Sequence, residues 1–248
     1  MSATSTESPW GRAPDGAFAA GEDGAVDLPY WCDRASGQGW VALGHGAGAG
    51  PLHPVLEAFT EALNALGWNV LRYAFPFRAA RPEAPIGRDA PALGQAAVAA
   101  AFAAAQGLAG AGPVVLAGHS YGARRTLECL AQRPLPAAGA LLLAYPFAPP
   151  KRASQVPLPR PRGGLRCGFV SGERDSHAPP GTLEAALADR PDAQLWRIPR
   201  ADHGWSRVGL FEPGGAWLSR SPLTKPQRSP PRGHGRGTWL ARFGGAKG

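Results

Sequence analysis

The stretch Val114-Val115-Leu116-Ala117-Gly118-His119-Ser120-Tyr121-Gly122-Ala123 constrains this chain more than any other. It reads as a short apolar strand, a sharp turn at Ser120 and a helix opening near Ala123. Glycines at 118 and 122 bracket the serine in a G-x-S-x-G spacing. A serine on so cramped a strand-to-helix turn stands clear of the backbone, and a side chain at either glycine would clash there. The following helix points its positive N-terminal end at the same spot, which suits an anionic intermediate. The pentapeptide alone is a weak signal in a chain with 34 glycines, so its meaning depends on context and on partners for Ser120.

The context is a regular alternation. Ala25 to Cys32 reads as an early strand, and Trp40 to Leu43 as a strand running into the glycine-rich turn at Gly44-His45-Gly46-Ala47-Gly48. Over Pro54 to Leu66 the residues Val55, Leu56, Phe59, Leu63 and Leu66 recur at helical spacing, and Gly67 closes the helix. A strand over Trp68 to Phe75 leads into a Pro- and Arg-rich loop, Pro76 to Pro91, whose arginines read as exposed and solvated. The alanine-rich stretch from Ala90 to Gly112 is apolar enough to resemble a membrane span. Its weak drive to insert predicts a buried or half-buried helix instead. Strands are expected over Ala140 to Tyr145, Leu165 to Ser171 and Gln194 to Ile198, with a helix over Thr182 to Asp189 and a Pro/Arg linker over Pro149 to Gly164. The predicted fold class is α/β, a mostly parallel sheet with helices on both faces.

Residues 1–25 read as a loose leader, 26–211 as one domain, and 212–248 as a Pro/Gly/Arg-rich tail expected to be disordered. The net charge of +8 resembles a nucleic-acid signal until it is located. Arg220, Lys225, Arg228, Arg232, Arg236, Arg242 and Lys247 lie in the tail with no acidic residue from 213 onward, so the rest of the chain is close to neutral. Nucleic-acid contact is therefore confined to the tail as a minor reading, on Arg232-Gly233-His234-Gly235-Arg236-Gly237. Three widely spaced cysteines (Cys32, Cys129, Cys167) without a C-x-x-C argue against a disulfide framework or zinc site. The N-terminus has no apolar run of a signal peptide, and a reduced, cytoplasmic location without membrane contact is expected.

A serine hydroxyl needs an imidazole to take its proton, and that imidazole needs a carboxylate to fix its tautomer. In a parallel α/β sheet such groups collect at the C-terminal ends of strands. Asp175, in Ser171-Gly172-Glu173-Arg174-Asp175, directly follows a strand and is the chosen acid, with Glu173 as its rival. His203 follows the last strand and is the chosen base, giving the order Ser, Asp, His. The turn after the Trp40 strand is placed to supply an oxyanion-hole N–H from Ala47 (or Gly48), alongside that of Tyr121. It lacks the third glycine of a dinucleotide fingerprint and any Gly-Lys-Ser/Thr, so no cofactor is expected. His119 reads as a packing or turn residue. His53, His177 and His234 share no ligand spacing, so no metal is assigned. Cys129 and Cys167 read as core thiols.

Six landmarks in order make the chain resemble the α/β-hydrolase superfamily, and within it the compact hydrolases related to dienelactone hydrolase. They are Leu43-Gly44-His45-Gly46-Ala47-Gly48-Ala49, Leu71-Arg72-Tyr73-Ala74-Phe75-Pro76, Gly118-His119-Ser120-Tyr121-Gly122-Ala123-Arg124, Tyr145-Pro146-Phe147-Ala148-Pro149-Pro150, Gly172-Glu173-Arg174-Asp175 and Asp202-His203. The resemblance covers about residues 38–206 and implies Ser120 as nucleophile, Asp175 as acid and His203 as base. Three departures stand out. Tyr121 and Ala123 replace methionine and glycine, Ser176-His177-Ala178 replaces Pro-Phe-Gly after the acid, and the tail stands where the family has a closing helix.

The implied activity is hydrolysis of a small ester, lactone or thioester through a covalent acyl-enzyme. The short connector from Tyr145 to Leu165 predicts an open pocket without a lid. The alternative from another class is an interaction module on the same fold, catalytically weak or inactive. The missing closing helix favours that alternative, because the loop carrying His203 loses its usual support and 1 Å of misplacement can cost about a hundredfold in rate.

Overall fold

The computed structural model describes residues 8–21, 24–37, 39–83, 87, 89–150 and 154–205. The tail read as disordered lies outside the described residues. Eight strands form one sheet in the order β1-β2-β4-β3-β5-β6-β7-β8: β1 Gly16–Ala20, β2 Val26–Asp33, β3 Trp40–Gly44, β4 Asn69–Tyr73, β5 Val114–His119, β6 Gly139–Leu143, β7 Cys167–Gly172 and β8 Ala193–Ile198. From β4 to β8 every neighbouring pair is parallel, while β1–β2 and β2–β4 are antiparallel. Helices are α1 Pro54–Ala65, α2 Pro76–Ala80, α3 Pro91–Ala109, α4 Tyr121–Gln132 and α5 Thr182–Leu187. The expected α/β sheet is the observed one.

The central strands are buried on both faces, which is why they read as continuous apolar runs. The period-2 alternation still divides the core in two. Val41, Leu43, Val115, Ala117, Leu141 and Leu143 face α1 through Val55, Leu56, Phe59 and Leu63. Ala42, Leu71, Leu116 and Leu142 face α3, α4 and α5 through Ala101, Phe102, Leu127 and Leu183. Helix α3 is long and apolar enough to cross a membrane. Its face of Ala97, Val98, Ala101 and Ala105 is fully buried in the second of these cores, and the small alanine side chains let the helix lie close to the sheet.

Two segments differ from the sequence expectation. The stretch taken as a loose leader contains β1, paired antiparallel with β2 from Gly16 against Tyr30 to Ala20 against Val26. Gly-Ala-Phe-Ala-Ala is too short and too poor in β-branched residues to announce a strand alone; pairing with β2 makes it one. The loop Pro76 to Pro91 opens with α2, and its Arg78 is buried, not solvated. Arg78 donates from Nη1 to Pro82 O at 3.0 Å and from Nη2 to Ala47 O at 3.4 Å. Its guanidinium therefore braces the turn after β3.

The approach of α4 to β3 and β5 depends on missing side chains. A β-carbon on Gly122 would lie 2.6 Å from Gly44 O and 2.9 Å from His45 O, and one on Gly118 would overlap the backbone of Gly122. These are backbone neighbours that cannot rotate away. Gly122→Ala should cost about 2 kcal/mol, lowering Tm by roughly 4–8 °C for a domain of this size. Thermal unfolding followed by circular dichroism checks this. An unchanged Tm would mean that the helix does not sit this close.

Candidate active site

Ser120 lies between the last residue of β5 and the first residue of α4. Its φ is 50° and ψ is −105°, outside the regions that a non-glycine residue ordinarily occupies. Such a conformation costs on the order of 1–3 kcal/mol and persists only when its surroundings over-determine it. Here Ser120 N–H donates to Leu143 O at 2.8 Å, Gly122 N–H donates to His45 O at 3.1 Å, and Ser120 O accepts from Arg124 N–H at 3.1 Å. The turn is thereby pinned to β6, to the β3 turn and to its own helix.

The structure brings Ser120, Asp175 and His203 together. Ser120 Oγ lies 2.9 Å from His203 Nε2, and His203 Nδ1 lies 2.9 Å from Asp175 Oδ1. A carboxylate only accepts, so Nδ1 carries the proton and Nε2 presents its lone pair to the serine. Asp175 is buried. Its Oδ1 also accepts from His177 N–H at 2.8 Å, and its Oδ2 accepts from Ser171 Oγ at 3.4 Å. Burial alone would raise its pKa, but hydrogen bonds from His203 and the His177 amide, with the charge on those imidazoles, hold it below the ordinary value. The rival Glu173 is exposed and instead accepts from Arg200 N–H at 3.1 Å.

The loops carrying Asp175 and His203 are held by residues that the sequence reading left aside. Arg197 on β8 donates from Nη1 to Ser171 Oγ at 3.0 Å, Gly172 O at 3.2 Å and Ala178 O at 2.7 Å, and pairs with Glu184 at 2.8 Å. One guanidinium thus closes the loop around Asp175. Arg174 N–H donates to Ala201 O at 2.8 Å, tying this loop to the one that carries His203. His119 Nε2 donates to His203 O at 3.3 Å, and Trp205, fully buried, anchors the far side of the same loop in the α1 core. The stretch where the family has its closing helix lies outside the described residues. His119 was readable only as a packing residue, because nothing near position 119 in sequence reveals a carbonyl 84 residues away.

His45 is fully buried. Its Nε2 accepts from Phe75 N–H at 3.0 Å, so the proton sits on Nδ1, which donates to Gly46 O at 2.8 Å. The ring therefore shapes the turn that carries Ala47. Among the described residues, the N–H groups of Ala47 and Tyr121 take no backbone acceptor, and Tyr121, as the first residue of α4, has none within its helix. Ala47, Ser120 and Tyr121 line one cavity of about 530 Å³, with Arg124, His177 and Val156. The connector after β6 supplies part of its wall through Pro146, Pro149 and Pro150. Tyr121 packs edge-on against Phe75 and Phe77 at 5.0 and 5.5 Å, filling the place of the expected methionine.

A serine on a strand-to-helix turn, with an imidazole and a carboxylate delivered from the ends of later parallel strands, is the architecture of the α/β-hydrolase class. A sequence model of the alpha/beta hydrolase domain matches residues 37–210, and the chain belongs to that family. An alpha-beta serine hydrolase homologue from Coxiella burnetii superposes with a TM-score of 0.62 at 18% identity, over 84% of this chain and 98% of its own. An α/β serine hydrolase without lid from Xanthomonas campestris gives 0.62 at 19%, over 84% and 94%. A dienelactone hydrolase from Anabaena variabilis gives 0.57 at 19%, over 85% and 99%. At these identities the likeness is one of fold. No curated protein matches the chain.

The buried imidazoles make stability depend on pH. Burial pushes His45 down to about 4 and His119 down to about 3, the latter helped by the charge on His203. An unfolded histidine titrates near 6.5, so between 6.5 and about 4 the unfolded chain binds more protons than the folded one. Both groups therefore contribute stability that is complete above pH 6.5 and is lost as pH falls towards 4, on the order of 3 kcal/mol for His45 alone. Tm should fall steadily across that window, and His119→Gln should flatten part of the slope. An unchanged slope in that variant would show that its imidazole titrates normally.

Proposed function

We propose that the protein is a serine hydrolase of small esters, lactones or thioesters, with Ser120 as nucleophile, His203 as base and Asp175 as the group that orients it. The observation that carries this is the unbroken hydrogen-bonded chain from Asp175 through His203 to a serine in the wall of a cavity. Ser120 Oγ attacks the carbonyl as its proton passes to His203 Nε2, and Asp175 stabilises the resulting imidazolium. The oxyanion is held by the N–H groups of Ala47 and Tyr121, each such donor commonly contributing a few kcal/mol. Nε2 then protonates the leaving group, and a water activated by the same nitrogen releases the acid. Moving the proton from Nδ1 to Nε2 would leave Nε2 without a lone pair for the serine, which is why the Asp175 contact that keeps it on Nδ1 matters.

A cavity of about 530 Å³ suits a small molecule. Pro146, Pro149, Pro150 and Val156 give the cavity an apolar wall for an acyl or alcohol group, while Asp89, Arg124 and Arg125 make another part of its lining charged. A reduced, cytoplasmic location agrees with three unpaired thiols. Burial pushes Cys129 up to about 11 and Cys167 up to about 12, so both are unreactive core groups.

Fluorophosphonate labelling followed by intact mass tests the reading. Wild type should gain one adduct and Ser120→Ala none, while Asp175→Asn should react about 10⁴-fold more slowly because its His203 tautomer is wrong. A folded wild type that takes no adduct would overturn the proposal and leave an interaction module on this fold.

A further inference from the structure

His177 is not used by the mechanism above, yet it lies against it. Its ring stacks on that of His203, with centroids 3.8 Å apart and planes 29° apart. Its Nδ1 is shielded from solvent, has no hydrogen-bond partner and lies 3.9 Å from Asp175 Oδ1. That oxygen is the one that meets His203 Nδ1 at 2.9 Å. Ligand atoms of Asp175, His177 and His203 all lie within 4.8 Å of one another. Solvent-shielded polar atoms are nearly always satisfied, so an orphaned imidazole nitrogen beside a carboxylate calls for an explanation.

A tetrahedral Zn²⁺, at about 2.0–2.1 Å from nitrogen and 2.0–2.2 Å from oxygen, keeps its ligand atoms roughly 3.3–3.5 Å apart. The separations of 2.9 and 3.9 Å from Asp175 Oδ1 fall on either side of that value, so the carboxylate distances need shifts of about half an ångström, and the two stacked rings must also turn for their Nδ1 lone pairs to converge on one ion. Two imidazoles and one carboxylate suit zinc better than the hard, all-oxygen cations. The His177 side chain is about one-third exposed and lines the cavity that holds Ser120.

We propose that Asp175, His177 and His203 form an inhibitory zinc site that switches the hydrolase off by seizing the wrong nitrogen of its base. Zinc replaces the proton on His203 Nδ1, and that proton moves to Nε2, so the imidazole stays neutral. Nε2 then donates to Ser120 Oγ instead of accepting from it, and the serine cannot be deprotonated. Asp175, bound to the metal, no longer orients the ring. The inhibition, though not the binding, rests on the serine-hydrolase reading.

The two are separated by measuring binding in a protein that cannot react. Calorimetric titration of full-length Ser120→Ala with zinc chloride should show a site that weakens at least about tenfold when His177→Phe or His177→Gln is added. Cobalt(II) substituted into Ser120→Ala should give visible absorption bands that the same changes remove. Both double variants should keep the parent circular dichroism, with His177→Gln as the check against a folding defect of His177→Phe. Zinc affinity that is unchanged in both would overturn the site. In wild type, zinc at the concentration that fills the site should slow fluorophosphonate labelling at least about tenfold, with recovery on adding a chelator. Full labelling with the site occupied would overturn the switch. No labelling even without zinc would sink the hydrolase reading instead, while the calorimetry still decides the site.

Discussion

The structure depends on one close approach. Helix α4 can begin directly behind β5 only because Gly118 and Gly122 lack side chains where their backbones meet each other and the turn after β3. That seam holds Ser120 in a left-handed backbone conformation and starts α4 at Tyr121, directly after the serine. It also draws in the turn at His45, which supplies the second candidate donor through Ala47. Strain at a single serine is thereby tolerated because β6, the β3 turn and α4 each hold one of its backbone neighbours.

Around that seam the charges are arranged by burial. Asp175 stays ionised in the interior because several donors converge on it, and Arg197 orders the loop that delivers them. His45 and His119 stay neutral because burial penalises their charged forms, and each uses its single N–H to fix a carbonyl of a functional loop. Neutral rings in these places act as rigid struts without adding a positive charge beside His203. Trp205 completes the support by filling the α1 core at the far end of the His203 loop.

Much of this was legible in the chain itself. Glycine spacing around Ser120 and the alternation of apolar strands with helical periodicity led directly to the sheet, since both record backbone geometry. The order of Ser120, Asp175 and His203 followed because each sits just beyond a strand end. The weaker readings share a cause. β1 exists by pairing with β2, and Arg78 looked solvated because its acceptors, Ala47 O and Pro82 O, belong to a folded turn. Residues 206–248, including the basic tail, lie outside the described residues.

The sequence by itself determined the fold class, the turn at residue 120 and the candidate chemistry, because local backbone constraints and strand order are written residue by residue. Only the tertiary structure decided how that chemistry is held. His119 reaches across 84 positions to the carbonyl of His203, Arg197 reaches back to the loop of Asp175, and His177 stacks on His203. Such contacts join residues far apart in the chain, and hydrogen-bond distance and burial are properties of the packed molecule that no local pattern encodes.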